Sequence, residues 1–140
     1  MSLDSYPPQQ PGLGSAAFQT YEEGTFTVTA TGFSGTAPTV TVHYVRIGRK
    51  VTLSFSAFLS GSSNATTFTL TGVPAALRTT TFQRMVVEIA DSSISGSSLG
   101  SLRSPDASGT MQLDRGAVGP AWTASGTKGL YNSTVTYQLI

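Results

Sequence analysis

His43 is the single histidine of the sequence, and with seven carboxylates it bounds the acid–base chemistry open to the chain. A serine–histidine–acid triad needs the imidazole between a hydroxyl and an orienting carboxylate. His43 falls within TVTVHYVRI on the threonine side, with no acid opposite it, and reads as a sheet-surface or interface histidine. Glycoside hydrolysis needs two carboxyls roughly 5–10 Å apart. The acids are Asp4, Glu22, Glu23, Glu88, Asp91, Asp106 and Asp114. Glu88 and Asp91 flank one strand end, and Asp106 and Asp114 bracket another strand. None sits in a recognisable motif, so they read as solvated or turn-capping. One histidine and no cysteine make a zinc site untenable without several carboxylates, and no glycine-rich loop stands between a strand and a helix to cradle phosphate. The expectation is a chain with no catalytic residue, no metal and no cofactor.

Binding chemistry is better supplied. Two long polar stretches, 92–107 and 115–130, read as loops carrying Arg103, Asp106, Trp122 and Lys128, with Tyr131 opening the next strand. Aromatic rings with a few charged hydrogen-bonding groups, held on loops, suit a sugar ligand. The competing reading of Trp122 is a plug for one end of the core. Phe58 falls on a face otherwise made of threonine and serine. That predicts a covered face, under either a second copy of the chain or the 92–107 loop, and makes Phe58 and His43 candidate oligomer-interface residues.

The elements that must hold these residues are legible as strands. Only 11% of the 140 residues are charged, against about 25% in an average globular chain; serine, threonine and glycine replace them. The net charge of +1 gives no field for nucleic acid, and no apolar run approaches the roughly 20 residues of a membrane span. The start, MSLDSYPPQQPGLGS, lacks signal-peptide features. Residues 1–20 read as a Pro/Gly-rich leader, tacked down by Phe18 and Tyr21, before a head domain of residues 21–140.

From Thr25 the period is two, with Phe26, Val28 and Ala30 on one face and threonines on the other. Gly48-Arg49 between two alternating runs predicts a two-residue hairpin. In that register Ile47 faces Lys50, Tyr44 faces Leu53, Val42 faces Phe55, Val40 faces Ala57 and Thr39 faces Phe58. A short strand holds Phe68 and Leu70 inward, VPAALR makes one turn that carries Leu77 into the core, and FQRMVVEIA points Met85, Val87 and Ile89 inward. The chain closes on a strand with Val135, Tyr137 and Leu139 on one side. The sum is an all-β, antiparallel β-sandwich, jelly-roll-like, of about seven short strands.

YEEGTFT at 21–27 resembles the opening of C-terminal domains in bacteriophage tail fibres, tailspikes and related virion proteins. TVHYVRIGRKVTLSF, SSNATTFTLTGVPAALR, ASGTKGL and the terminal STVTYQLI are similar to that family's hairpin, strand-and-turn, last loop and last strand, in the same order. The resemblance implies a homotrimer at the distal end of a virion appendage. It implies host-surface glycan and other virion tail proteins as partners, and no catalysis. It carries no fixed binding motif. The alternative is a structural trimerisation or capsid/tail decoration module without ligand; a small glycan hydrolase is the third reading.

Overall fold

The computed structural model describes residues 21–92, 97–116 and 121–140; the predicted leader, with Phe18, lies outside the described residues. Ten strands are present among the described residues: β1 (Tyr21–Thr31), β2 (Thr39–Ile47), β3 (Lys50–Phe55), β4 (Leu59–Ser62), β5 (Thr69–Thr71), β6 (Arg84–Asp91), β7 (Ser97–Arg103), β8 (Thr110–Asp114), β9 (Thr127–Leu130) and β10 (Thr134–Gln138). They form one antiparallel sheet in the order β10-β3-β2-β1-β5-β8-β7-β6-β9-β4. The sheet curls at β8, which pairs with β5 on one side and β7 on the other. Its halves face each other across the core.

The β2–β3 hairpin has the predicted register: Ile47 pairs with Lys50, Tyr44 with Leu53 and Val42 with Phe55. Gly48 takes φ 59° and Arg49 stays at negative φ, as a turn with glycine first requires. The predicted pairs beyond Phe55, of Thr41 with Ser56, Val40 with Ala57 and Thr39 with Phe58, are absent, because β3 ends at Phe55. Ser56 turns its hydroxyl onto the Thr41 carbonyl. The chain then crosses to the opposite half, where β4 pairs with β9. Phe58 therefore lies on the crossing and not opposite Thr39.

Alternation sorts side chains as expected. Val28, Ala30, Leu53, Phe68, Leu70 and Ile89 are fully buried between the halves. The short 3-10 turn Ala75–Leu77 buries Leu77. Outside, threonines line up across strands: Thr39, Thr29, Thr71 and Thr110 follow one another through four strands. The two sheet edges are tied down, which blunts edge-to-edge aggregation. Gln83 exchanges two hydrogen bonds with the Gln138 backbone on β10, at 2.7 and 3.0 Å. Ser63, next to β4, bridges Phe33 beyond β1.

The stretches read as long loops contain strands. β7 lies inside 92–107 and β9 inside 115–130. Ser97–Arg103 has no β-branched residue, and Gly100 interrupts it. A Cβ at Gly100 would come within 2.8 Å of the Asp114 carbonyl oxygen and 2.9 Å of the Ile89 side chain. The residue that hides the strand in the sequence is the one its packing demands.

Candidate functional site

Arg84 opens β6 and Arg103 ends β7, and the register sets them directly opposite each other on the outer face. Like charges in that position repel. Asp114 on the neighbouring β8 resolves the conflict. Its Oδ2 accepts from Arg84 Nη1 at 2.7 Å and from Arg103 Nε at 3.0 Å, and its Oδ1 accepts from Gln112 Nε2 at 2.8 Å. Phe82, just before β6, is 57% exposed. Its ring centroid lies 5.9 Å from the Arg84 guanidinium carbon and 5.2 Å from that of Arg103, within cation–π range.

Beside this ring is a depression of about 140 Å³, walled by Phe82, Arg103, Asp106 and Gln112, with Thr69, Ser104 and Thr110 supplying hydroxyls. Asp106 belongs to the turn between β7 and β8. Its Oδ1 accepts from the Ser108 hydroxyl at 2.6 Å, the Ser108 amide at 2.9 Å and the Thr110 amide at 3.0 Å. The Ser108 hydroxyl bond first, and then the Thr110 amide, hold its carboxyl below the usual carboxylate range.

The five residues read from sequence as ligand-binding divide among three places. Arg103 and Asp106 meet in this depression. Trp122 and Lys128 are in the interior, and the picture of both as loop residues open to a ligand is corrected. Trp122 is 3% exposed. Its Nε1 donates to the Leu113 carbonyl at 2.9 Å, and its ring packs edge-on against Phe68 at 5.1 Å. It fills one end of the core, as the competing reading had it. Lys128 lies on β9 with no exposure; its Nζ donates to the carbonyls of Ala65 and Thr67 at 2.9 and 2.8 Å, beside the Phe33 and Phe68 rings. Burial pushes its ammonium pKa down, against the opposing charge of Asp91.

Tyr131 is half-buried after β9 and stacks on Phe58 at 4.5 Å. The Phe58 ring packs over Gly129, on the outer face of the β4-β9-β6-β7 half. His43 pairs with Thr25 and Ser54 on the outer face of the other half. The two candidate interface residues therefore lie on different surfaces. The four acids weighed for hydrolysis also have separate surroundings: Glu88 is exposed on β6, Asp91 is buried against Arg115, Asp106 sits in its turn and Asp114 lies between arginines. Among the described residues, no three His, Asp or Glu side chains are grouped as metal ligands, and no helix is long and apolar enough to cross a membrane.

Phe82, Arg84, Gln112 and Asp114 were not read as site residues in the sequence. A signal for Phe82 existed. Met85, Val87 and Ile89 point inward, so residues of even number in that run point out, and a phenylalanine on the outward parity is as anomalous as Phe58.

No family model matches this sequence, and no curated protein does. Among solved structures, the reovirus attachment protein sigma1 in complex with alpha-2,3-sialyllactose aligns with 85% of this chain and 66% of that chain, with a TM-score of 0.50 and 12% sequence identity. The chain thus spans slightly under two thirds of that protein's solved chain. At this identity the likeness is one of fold: the all-β, antiparallel architecture is shared with a viral attachment protein.

Proposed function

We propose that this chain is a non-catalytic receptor-binding module of a phage tail fibre or related virion appendage. It recognises host-surface glycan through the depression beside Phe82 and works as a homotrimer attached to other virion proteins. The observation that carries this reading is the depression itself: an exposed aromatic ring next to a carboxylate, a guanidinium, an amide and three hydroxyls. A flat apolar surface with convergent donors and acceptors is the composition that sugar recognition calls for. The shared fold with an attachment protein solved with sialyllactose supports it, as does the tail-fibre resemblance along residues 21–140.

The experiment is a glycan array probed with the purified chain and with Phe82→Ala. Single sites of this kind bind at about millimolar strength, so dense display is needed to gain avidity. The reading expects retained glycans and an apparent affinity about tenfold lower in Phe82→Ala. Retention of no glycan, or retention indifferent to Phe82, overturns it.

A second reading has its own observation. Val86 and Leu99 are 71% and 69% exposed on the outer face of β6 and β7. They line a groove of about 310 Å³ together with Arg84, Gly100 and Ser101. A structural trimerisation or decoration module without ligand would use such a face and leave the Phe82 depression idle.

A further inference from the structure

We propose that the ligand of the Phe82 depression carries a carboxylate, so that the site is a subsite for an acidic sugar, a sialic or uronic acid, with Arg103 as its reader and Arg84, which lines the neighbouring groove, adding positive charge across the Asp114 they share. The inference rests on the glycan reading above and names the class of sugar.

The charge arrangement comes first. Two guanidiniums share a single oxygen of Asp114, and the other oxygen is taken by Gln112. One positive charge of the trio is left uncompensated. Among the described residues the charged walls of the depression are Arg103 and Asp106; Arg84 adjoins it through the Asp114 oxygen that it shares with Arg103. Three hydrogen bonds from Ser108 and Thr110 already meet the Asp106 Oδ1. Behind its turn Arg78 donates to the carbonyls of Val73 and Ala107 and adds a further positive charge. The depression is therefore bipolar, with the Arg103 cation at the Phe82 end and an acceptor at the turn.

The donor inventory points the same way. An arginine has five N–H donors in a planar fork. Arg103 commits Nε to Asp114, and its Nη1 and Nη2 have no partner among the described residues. Arg84 commits Nη1 to Ser101 and Asp114 and keeps Nε and Nη2. Anchoring Arg103 through Nε fixes the plane of the fork before a ligand arrives, which lowers the ordering cost of binding. Such a fork is matched to a carboxylate's two oxygens. A neutral sugar would leave that match unused.

The remaining walls suit the rest of a sugar ring. Phe82 offers its exposed face to ring C–H groups; Gln112, Thr69 and Thr110 offer donors and acceptors to hydroxyls, and Asp106 an acceptor. At about 140 Å³ the depression is well below the roughly 300–1,000 Å³ of drug-sized pockets. It suits one terminal ring, not an extended oligosaccharide.

The test uses the full chain against polymer-linked sialyllactose and a polymer-linked hexuronate oligosaccharide, each beside its carboxyl-reduced counterpart, with binding read by interferometry. The proposal expects at least one acidic conjugate to bind about tenfold or more tightly than its reduced form, with the margin shrinking as salt rises. Which conjugate binds identifies the source of the carboxylate. Arg103→Gln should erase the margin; should its melting temperature fall, Arg84→Gln is the second variant. The ligand-side comparison leaves the protein untouched, so it stands whatever the variants do. Equal binding of acidic and reduced forms, lost in Phe82→Ala, overturns the acidic-sugar assignment and leaves the glycan reading standing. Binding of no conjugate, with an empty glycan array, overturns both.

Discussion

Tyr137 shows how much a single buried polar atom can decide. Its ring is buried in the core, and its hydroxyl donates to the Leu77 carbonyl at 2.6 Å. Burial raises its pKa well above the ordinary 10.0. A raised pKa means that the native state holds the proton longer than the unfolded chain does. The resulting stability is fully present below about pH 10 and is lost as pH rises through the native value. Tyr21 and Tyr44 are raised too, by hydrogen bonds to Glu23 and Glu22, but Tyr21 is exposed and Tyr44 only half-buried. Tyr137→Phe should therefore cost about 1–3 kcal/mol at neutral pH, since the Leu77 carbonyl loses its donor, and should flatten the fall in stability above pH 10. Urea denaturation at pH 7 and pH 11 measures both. At this scale the sequence is a partial guide. Arg103 and Asp106 are legible as candidate binding groups because they are charged residues in a chain with few charges. Lys128 carries the same signature, and Trp122 stands out as the single tryptophan, yet both are buried. What separates them is invisible in one dimension: the Ala65 and Thr67 carbonyls that receive the ammonium, and the Leu113 carbonyl that receives the indole.

Strands with a clean period of two are legible in the sequence, and those that break it are not. The β2–β3 register follows from matching apolar parity across Gly48-Arg49, since a slip of one residue would turn Phe55 out and Ser54 in. Phe55→Ala should cost about 3–5 kcal/mol in chemical denaturation, while the exposed Phe82→Ala should stay within about 0.5 kcal/mol. β7 and β9 escape notice for opposite reasons. β7 lacks β-branched residues and is interrupted by Gly100, where Ile89 and the Asp114 carbonyl leave no room for a Cβ. β9 places a lysine at an inward position, where a pattern search expects an aliphatic residue. Gly100→Ala should accordingly destabilise by about 1–3 kcal/mol, although alanine is the smallest possible change. A thermal melt unchanged by that substitution would show that β7 and β8 can part locally.

The molecule as a whole presents two unlike outer surfaces. One is hydroxyl-rich, with threonine rows running across β2, β1, β5 and β8. The other exposes Val86, Leu99 and the stacked Phe58–Tyr131 pair. Exposed large apolar side chains gathered on one face suit an interaction surface, and the trimer in the proposed function would close over them. Light scattering should give a mass three times the 14.5 kDa chain, and Val86→Glu combined with Leu99→Glu should return the monomer mass. The Phe82 depression lies where β5, β8 and β7 come together, and Arg84 joins it to the Val86–Leu99 groove. The central claim is that this depression binds glycan, and amide chemical-shift mapping tests it most directly. On titrating the strongest array hit into isotope-labelled protein, the account predicts shifts concentrated at Phe82, Ser104, Asp106, Thr110 and Gln112. Shifts that cluster instead around Thr25 and His43, or around Leu99, with the Phe82 group unmoved, would contradict it.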